Sequence, residues 1–283
     1  MKIIECPRDA MQGIETFIPT EQKVRYLQTL LDVGFHTLDM GAFVSPKAVP
    51  QMQDTGEVIE HLELSAKSSE LLVIVANERG AKDACRYEKV RYLGYPFSIS
   101  ETFQQRNTNA GIEESLERLR SIAGIAEEHG KEVVVYISMG FGNPYGDTWS
   151  PTLASEWTRR LVEEIGVRIV SLADTVGVAD PATVRDLFSE LIPNYPDVEF
   201  GAHFHTRPDA WKANIEAAYS SGCRRFDAAL KGFGGCPMAE DELVGNMATE
   251  DLISFMDEKG DGHGLDREAF SKAAHEALRT FPV

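Results

Sequence analysis

Short β-rich runs alternate with longer amphipathic stretches along the whole chain, and this alternation limits the possible folds most strongly. The predicted strands are Lys2–Cys6, Thr37–Met40, Leu71–Val75, Val90–Gly94, Glu132–Ser138, Ile169–Ala173, Glu199–His203 and Arg225–Ala229. The predicted helices lie near Thr20–Val33, Lys47–Leu62, Glu78–Cys85, Ile112–His129, Thr152–Ile165, Pro181–Leu191, Pro208–Ser220 and Thr249–Asp257. Eight strand–helix units imply parallel strands and predict a closed (β/α)8 TIM barrel.

An open, doubly wound sheet is the alternative fold. No GxGxxG turn follows the first predicted strand, which disfavours a dinucleotide-binding sheet. No Pro/Ser-rich linker or internal repeat interrupts the alternation, so we predict a single domain over residues 1–283, with a C-terminal helical appendage near Asp266–Arg279. Ser150-Pro151 and Asp180-Pro181 each place a capping residue before a proline, which predicts two helix starts.

The charge balance excludes some classes of function. With 28 Lys and Arg against 45 Asp and Glu, the formal net charge is −17, which disfavours binding to nucleic acid. No apolar stretch approaches the roughly 20 residues that span a bilayer. The four cysteines show no paired spacing, and the N-terminus has no signal-peptide pattern. We therefore expect a cytoplasmic protein without a disulfide framework or a membrane partner.

Polar residues collect where the predicted strands end. In a barrel the C-terminal ends of the strands meet at the active site, so these residues should converge despite their separation in sequence. They are Arg8, Asp9 and Gln12 after the first strand, Asp39 at the second, Asp174 at the sixth, His203 and His205 at the seventh, and Cys236 and Asn246 after the eighth.

The pair His203 and His205 gives the most specific signal. Residues two apart on a strand point the same way, so both imidazoles can bind one metal ion. A carboxylate from Asp9 and an amide from Asn246 would complete a mixed nitrogen and oxygen set that suits Mg²⁺ or Mn²⁺. An iron(II) site with two histidines and one carboxylate is the competing interpretation.

Other candidates allow a structural and a catalytic interpretation. Arg8 either forms a salt bridge at the barrel rim or stabilises a developing oxyanion. Asp39 is either a partner of the site residues or an acid or base, and Asp174 is either a loop cap, a buried orienting group or a catalytic group. Cys236 lies in a glycine-rich stretch typical of a mobile flap, where a cysteine can carry a proton.

Several motifs together resemble the 3-hydroxy-3-methylglutaryl-CoA lyase family, within the metal-dependent lyases and Claisen-type synthases built on TIM barrels. The motifs are PRDAMQ at 7–12, FVSPKAVPQM at Phe43–Met52, GIEES at Gly111–Ser115, LADTVGV at Leu172–Val178, GGCP at Gly234–Pro237 and GNMATEDL at Gly245–Leu252. The resemblance covers almost the full length. It implies retro-Claisen cleavage of 3-hydroxy-3-methylglutaryl-CoA, or a close 3-hydroxy-acyl-CoA analogue, to acetyl-CoA and acetoacetate, as in leucine degradation, by a homodimer.

The resemblance also implies roles for the candidate residues. The implied ligands of Mg²⁺ or Mn²⁺ are Asp9, His203, His205 and Asn246. Arg8 would stabilise the enolate of acetyl-CoA, and Cys236 would protonate its carbon or help to close the site. The general base stays open between Asp39, Asp174 and a histidine of the metal site.

Some positions depart from the family pattern. Ala10 replaces a glycine, Asp39 replaces a glutamate, and Met40-Gly41-Ala42 replaces a Ser/Thr-rich segment. Arg207 follows the histidines where the family has Asp-Thr; it either contacts an anionic substrate beside the metal or is a solvated residue at a helix start. With Gln12 it is a candidate for substrate binding, and a related acyl-CoA or another tertiary-hydroxy acid is an alternative substrate.

The sequence is also compatible with two other functions. One is a Claisen-type acyltransferase similar to homocitrate or isopropylmalate synthases, although those usually extend beyond the barrel. The other is a catalytically silent metal-binding barrel. Candidate contacts to coenzyme A are Arg79, Lys82 and Arg106, with the segment Ser98–Asn107.

Overall fold

A computed structural model describes residues 1–207, 210–234 and 244–281. The strands are β1 Lys2–Glu5, β2 Thr37–Phe43, β3 Glu70–Val75, β4 Val90–Ser98, β5 Glu132–Ser138, β6 Ile169–Asp174, β7 Glu199–Thr206, β8 Arg225–Ala228 and β9 Gly245–Asn246. The helices are α1 Pro7–Gln12, α2 Thr20–Leu31, α3 Thr55–His61, α4 Glu78–Cys85, α5 Glu101–Thr108, α6 Ile112–Glu128, α7 Pro151–Ile165, α8 Pro181–Asn194, α9 Trp211–Ser220, α10 Thr249–Lys259 and α11 Arg267–Thr280.

The first eight strands form a closed parallel barrel. Each pairs with the next in sequence, and β8 pairs with β1 in parallel to close the ring. The predicted (β/α)8 TIM barrel is therefore confirmed, and the alternative open sheet is wrong. The strands are apolar on both faces because the outer face packs against the helices while the inner face fills the barrel.

The predicted helix starts are confirmed at two places. The Ser150 hydroxyl accepts a hydrogen bond from the amide of Leu153 (3.1 Å), so it caps α7. The Asp180 carboxylate accepts from the amides of Ala182 and Thr183 and caps α8. Both caps satisfy amides that the first turn of a helix leaves without an intrahelical partner.

Other boundaries differ from the prediction. The helix predicted over Lys47–Leu62 is wrong in its first half, where a 3₁₀ turn at Pro50–Met52 precedes α3. Pro50 has no N–H to donate, which disfavours a continuous helix through this segment. The short helices α1 and α5 were not predicted, and β7 continues three residues past His203 to Thr206.

The last helix packs closely on the barrel. The carboxylate of Asp266 caps α11, and the amide of Asp266 donates to the carbonyl of Val33. Phe281 packs edge-to-face on Tyr26 of α2, with ring centroids 5.4 Å apart. The predicted C-terminal appendage is thus a helix docked against α2. Among the described residues, no helix combines the length and the apolar character needed to cross a bilayer.

Candidate metal centre and active site

Strand β7 carries the two histidines into the barrel. His203 and His205 are two residues apart and share the inner face, where both are buried. After the segment that follows β8, the chain returns as β9 and pairs antiparallel with β7, so that Asn246 lies opposite His205. Asp9 reaches the same point from α1, which begins directly after β1.

Three of the four proposed ligand side chains converge to metal-binding distance. A carboxylate oxygen of Asp9 and one nitrogen from each of His203 and His205 all lie within 4.8 Å of one another. The two Nε2 atoms are 3.2 Å apart, and Nε2 of His205 is 3.5 Å from Oδ2 of Asp9. The amide of Asn246 donates to that same Oδ2 at 2.7 Å, so the fourth side chain is adjacent.

The hydrogen bonds of the histidine rings indicate which nitrogens are available. Nδ1 of His205 lies 3.0 Å from the carbonyl of Thr175, which can only accept, so this nitrogen carries the proton. Nδ1 of His203 lies 3.1 Å from the carboxylate of Asp227. In neutral rings both Nε2 atoms then present lone pairs to each other and to a carboxylate oxygen. Three facing lone pairs fit a bound cation.

The buried carboxylates of the site favour positive charge on the groups beside them. Burial opposes the charged form of His203, but the carboxylates of Asp227 and Asp9 outweigh it and raise its pKa. Burial also opposes the charged form of Asp9, but Arg8 and His205 outweigh it and hold the pKa of Asp9 far below its usual range. The carboxyl group of Asp9 is therefore ionised at neutral pH.

The guanidinium of Arg8 is held between two carboxylates. Nη1 donates to Asp9 (2.8 Å) and to Gln12 (2.9 Å), while Nε and Nη2 donate to Asp39. Burial lowers the pKa of Arg8, but Asp39 and Asp9 outweigh that effect and raise it above its ordinary value. Gln12 in turn donates to Asp9 at 2.6 Å. Arg8 is thus a fixed positive charge at the edge of the metal centre.

The two other acidic candidates lie in different surroundings. Asp39 is 1% exposed and accepts hydrogen bonds from Arg8 through both carboxylate oxygens. Asp174 accepts from the amides of Val178 and Ala179, both at 2.9 Å, and so holds the turn after β6. Burial raises the pKa of both carboxyl groups, against the opposing effects of Arg8 on Asp39 and of the turn amides on Asp174.

The remaining candidates are exposed or lie outside the described residues. Cys236 lies outside the described residues. Arg207 is exposed directly after β7, and its carbonyl accepts from the amide of Ala210. Among the residues considered for coenzyme A, Arg79 is exposed beside Asp83, and Arg106 stacks on Tyr145 with 4.7 Å from the guanidinium carbon to the ring centroid.

An open cavity of about 190 Å³ lies beside the candidate metal centre. Its polar lining includes the arginine, aspartate, glutamine and histidines just described. Its apolar lining includes Ala42, Val44, Val49, Ile74 and Phe103. A ligand in this cavity would meet both charged groups and hydrocarbon.

Three residues of the site were not found from the sequence. Asp227 holds His203, the carbonyl of Thr175 holds His205, and Tyr136 lines the cavity with its ring edge-to-face on His203 at 5.6 Å. Asp227 and Tyr136 both lie within predicted strands. The period-2 pattern that identified the histidines would also have placed Asp227 on an inner face.

The fold and this geometry define a (β/α)8 barrel with a candidate divalent-metal centre at the C-terminal ends of its strands. The HMGL-like family model matches residues 2–276, and the chain belongs to this family.

Individual relatives align with nearly the whole chain in sequence or in structure. The hydroxymethylglutaryl-CoA lyase of Pseudomonas mevalonii is 33% identical over 96% of this chain and 89% of its own length. The HMG-CoA lyase structure from Brucella melitensis has a TM-score of 0.90 and 31% identity, covering 98% of this chain and 97% of the other. An Acinetobacter baumannii HMG-CoA lyase in complex with coenzyme A and 3-methylmalate has a TM-score of 0.91 and 28% identity, covering 99% and 90%.

Proposed function

We propose that this protein cleaves 3-hydroxy-3-methylglutaryl-CoA to acetyl-CoA and acetoacetate in a metal-dependent reaction. The observation that carries the proposal is the convergence of two histidines and an aspartate, a donor set that suits a metal ion, beside a buried arginine paired with two carboxylates in one open cavity. The named activities of the relatives, and the coenzyme A complex of one of them, support the same acyl-CoA substrate.

The reaction is a retro-Claisen cleavage. The tertiary hydroxyl on C3 of the acyl group gives its proton to a general base at the site, and the electron pair on that oxygen forms the ketone of acetoacetate. The bond between C2 and C3 breaks, and its electrons move into the thioester to give the enolate of acetyl-CoA. A proton added to C2 completes acetyl-CoA. The enzyme must therefore hold the hydroxyl and accept its proton, stabilise negative charge on the thioester oxygen and deliver one proton to C2.

The donor side chains of this chain suit a divalent metal ion. We propose that Asp9, His203, His205 and Asn246 hold Mg²⁺ or Mn²⁺, because imidazole, carboxylate and amide donors suit these ions. A divalent ion bound there would supply Lewis acidity, which lowers the pKa of a coordinated hydroxyl.

Arg8 supplies fixed positive charge for the enolate oxygen. Its guanidinium lines the cavity and is held by carboxylates on either side, so little reorganisation is needed when charge develops. We assign Asp39 to positioning Arg8. We assign Asp174 to holding the turn whose first residue, Thr175, orients His205.

We propose Cys236 as the proton donor to C2. It stands two residues after Gly234 in the sequence, and Gly234 lies against the centre: a Cβ at this glycine would be 2.8 Å from the carbonyl oxygen of Asp9 and 2.7 Å from Nδ2 of Asn246. The last described residue before Cys236 in the sequence therefore lies directly beside the candidate metal centre. Gln12 and Arg207 complete the proposed substrate contacts.

We further propose a cytoplasmic homodimer in which residues 1–283 form one catalytic domain. The formal net charge of −17 makes an anionic coenzyme A ester dependent on local cations and metal for its binding.

The test is to incubate the Mn²⁺-loaded protein with 3-hydroxy-3-methylglutaryl-CoA and to quantify acetoacetate and acetyl-CoA. We expect equal amounts of the two products and a fall of about 10³-fold in kcat for Arg8→Met, since an oxyanion-stabilising donor is worth about that factor. Arg207→Met is a matched control for the loss of an arginine at the rim and should mainly change KM. Absence of either product from the metal-loaded wild type would contradict the proposal.

A further inference from the structure

One row of side chains lies inside the barrel just below the metal histidines. It contains Tyr136, Ser171, Gly201 and Arg225, which are consecutive partners in the register of β5, β6, β7 and β8. Neighbours in register on parallel strands point to the same side of the sheet, and Gly201 precedes His203 by two residues. The row therefore faces the barrel interior, one layer towards the N-terminal ends of the strands.

Arg225 is the unusual member of this row. It is 1% exposed, and charged side chains are almost never this deeply buried unless they are paired. Nη1 donates to Glu199 at 3.1 Å. Nε and Nη2 are buried and have no hydrogen-bond partner within the described part of the chain. An unmade hydrogen bond of a buried donor costs about 1–3 kcal/mol, so these two donors call for an explanation.

Gly201 makes the space for Arg225. A Cβ at residue 201 would lie 2.9 Å from Cδ and 3.2 Å from Cγ of Arg225, and 3.2 Å from the hydroxyl oxygen of Ser171. Contacts this short would displace the arginine stem. The glycine and the arginine therefore belong together as one feature of this barrel.

Three other polar atoms around the row are also buried without a hydrogen-bond partner among the residues that the structure describes. They are the hydroxyls of Ser171 and Tyr136 and Oδ1 of Asp227. Asp227 follows Arg225 by two residues and shares its inner face. Arg225 and the two hydroxyls can donate, whereas the carboxylate oxygen can only accept, so the groups are chemically complementary.

We propose that Arg225 is a positioning residue for the metal centre, acting through Ser171, Tyr136 and Asp227 on His203. Rotation of the two hydroxyl side chains, or a bridging water molecule, would connect the guanidinium to Oδ1 of Asp227. The other oxygen of Asp227 holds Nδ1 of His203 and thereby turns Nε2 towards the metal. The inference rests on the proposed function in that it takes His203 as a metal ligand.

Stability alone does not explain this arrangement. Replacing a buried charged group and its partners by apolar residues of similar volume is often neutral or stabilising for the fold. A purely structural row would therefore be better filled by hydrocarbon. Metal affinity therefore distinguishes a positioning role from a structural role. Replacing a positioning residue lowers metal affinity even where the fold stays intact.

The experiment measures Mn²⁺ binding to metal-stripped protein without substrate, by the EPR signal of free Mn²⁺. The double variant Gly201→Ala/Arg225→Leu replaces the guanidinium by hydrocarbon and should raise the Kd for Mn²⁺ about tenfold in protein that still unfolds cooperatively, as expected for loss of support behind a metal-bound histidine. Arg225→Lys keeps the charge and should recover part of the affinity. Arg224→Met removes the neighbouring exposed arginine and should bind Mn²⁺ as the wild type does.

Ser171→Ala tests the same connection with a minimal change that removes one oxygen, and we expect a smaller rise in Kd. A folded double variant and a folded Ser171→Ala that both bind Mn²⁺ with the wild-type Kd would overturn the inference while leaving the proposed function intact. A wild type that binds no Mn²⁺ would overturn the proposed metal centre, and this inference with it.

Discussion

At the scale of single residues, each reactive group of the site is oriented by only a few hydrogen-bond partners. Arg8 is oriented by two carboxylates, and each histidine is oriented by one acceptor at Nδ1. Buried charge-assisted hydrogen bonds of this kind hold a group with little freedom, which is what stabilisation of a developing oxyanion requires. Removing one orienting partner should therefore lower the rate of turnover while the other site residues keep their positions.

Asp39→Asn tests this at Arg8. The amide keeps the shape of the side chain but loses the negative charge, and only one of its two polar atoms can accept from the guanidinium. We expect kcat to fall about 10²-fold, because a loosened donor loses much of its preorganised effect. The Kd for Mn²⁺ should stay near the wild-type value, since Asp39 bonds to Arg8 and not to the histidines. A variant with wild-type kcat would show that Asp39 does not position the arginine.

At the scale of secondary structure elements, Glu5 of β1 ties together the two sides of the segment that carries Cys236. Its carboxylate is fully buried and accepts hydrogen bonds from the amide of Leu230 (2.8 Å) and the hydroxyl of Thr249 (2.6 Å). Burial raises the pKa of Glu5 to about 8, although both hydrogen bonds oppose the shift. Glu5 is therefore largely protonated in the folded protein at neutral pH.

This raised pKa predicts how stability depends on pH. Between the ordinary value of 4.5 and about 8, the folded state holds a proton that the unfolded state releases. The free energy of unfolding therefore falls as pH rises through this window. Glu5→Gln removes the titration, so from about pH 5 to about pH 9 its Tm should fall roughly 5 °C less than that of the wild type.

The exposed Glu15→Gln is the matched control for the loss of a carboxylate and should follow the wild-type Tm across the same range. Parallel Tm curves for Glu5→Gln and the wild type would show that Glu5 is ionised in both states.

Elements with a strong local pattern could be predicted from the sequence, and tertiary pairings could not. The period of two identified His203 and His205, and proline after a capping residue identified the starts of α7 and α8. The 3₁₀ turn at Pro50–Met52 was mistaken for helix because its apolar spacing continues into α3. The role of Asp227 became visible only when β7 and β8 were placed side by side.

At the scale of the whole molecule, barrel closure brings together groups that are far apart in the chain. Asp9 and Asn246 are separated by 237 residues and yet share a hydrogen bond. Their convergence could be anticipated from the C-terminal strand ends of a barrel, as could the candidate ligand set. The balance of polar and apolar walls in the cavity could not, because it depends on side chains from many strands and loops.

The most direct test of the account is a titration of metal-stripped protein with Mn²⁺, with bound metal and the rate of acetoacetate formation from 3-hydroxy-3-methylglutaryl-CoA measured on the same samples. We predict that both rise together and saturate at about one ion per chain, and that His205→Ala loses both, because that ring supplies one of the few ligands of the ion. Full activity in the metal-stripped protein, or saturating metal binding without any cleavage, would contradict the account.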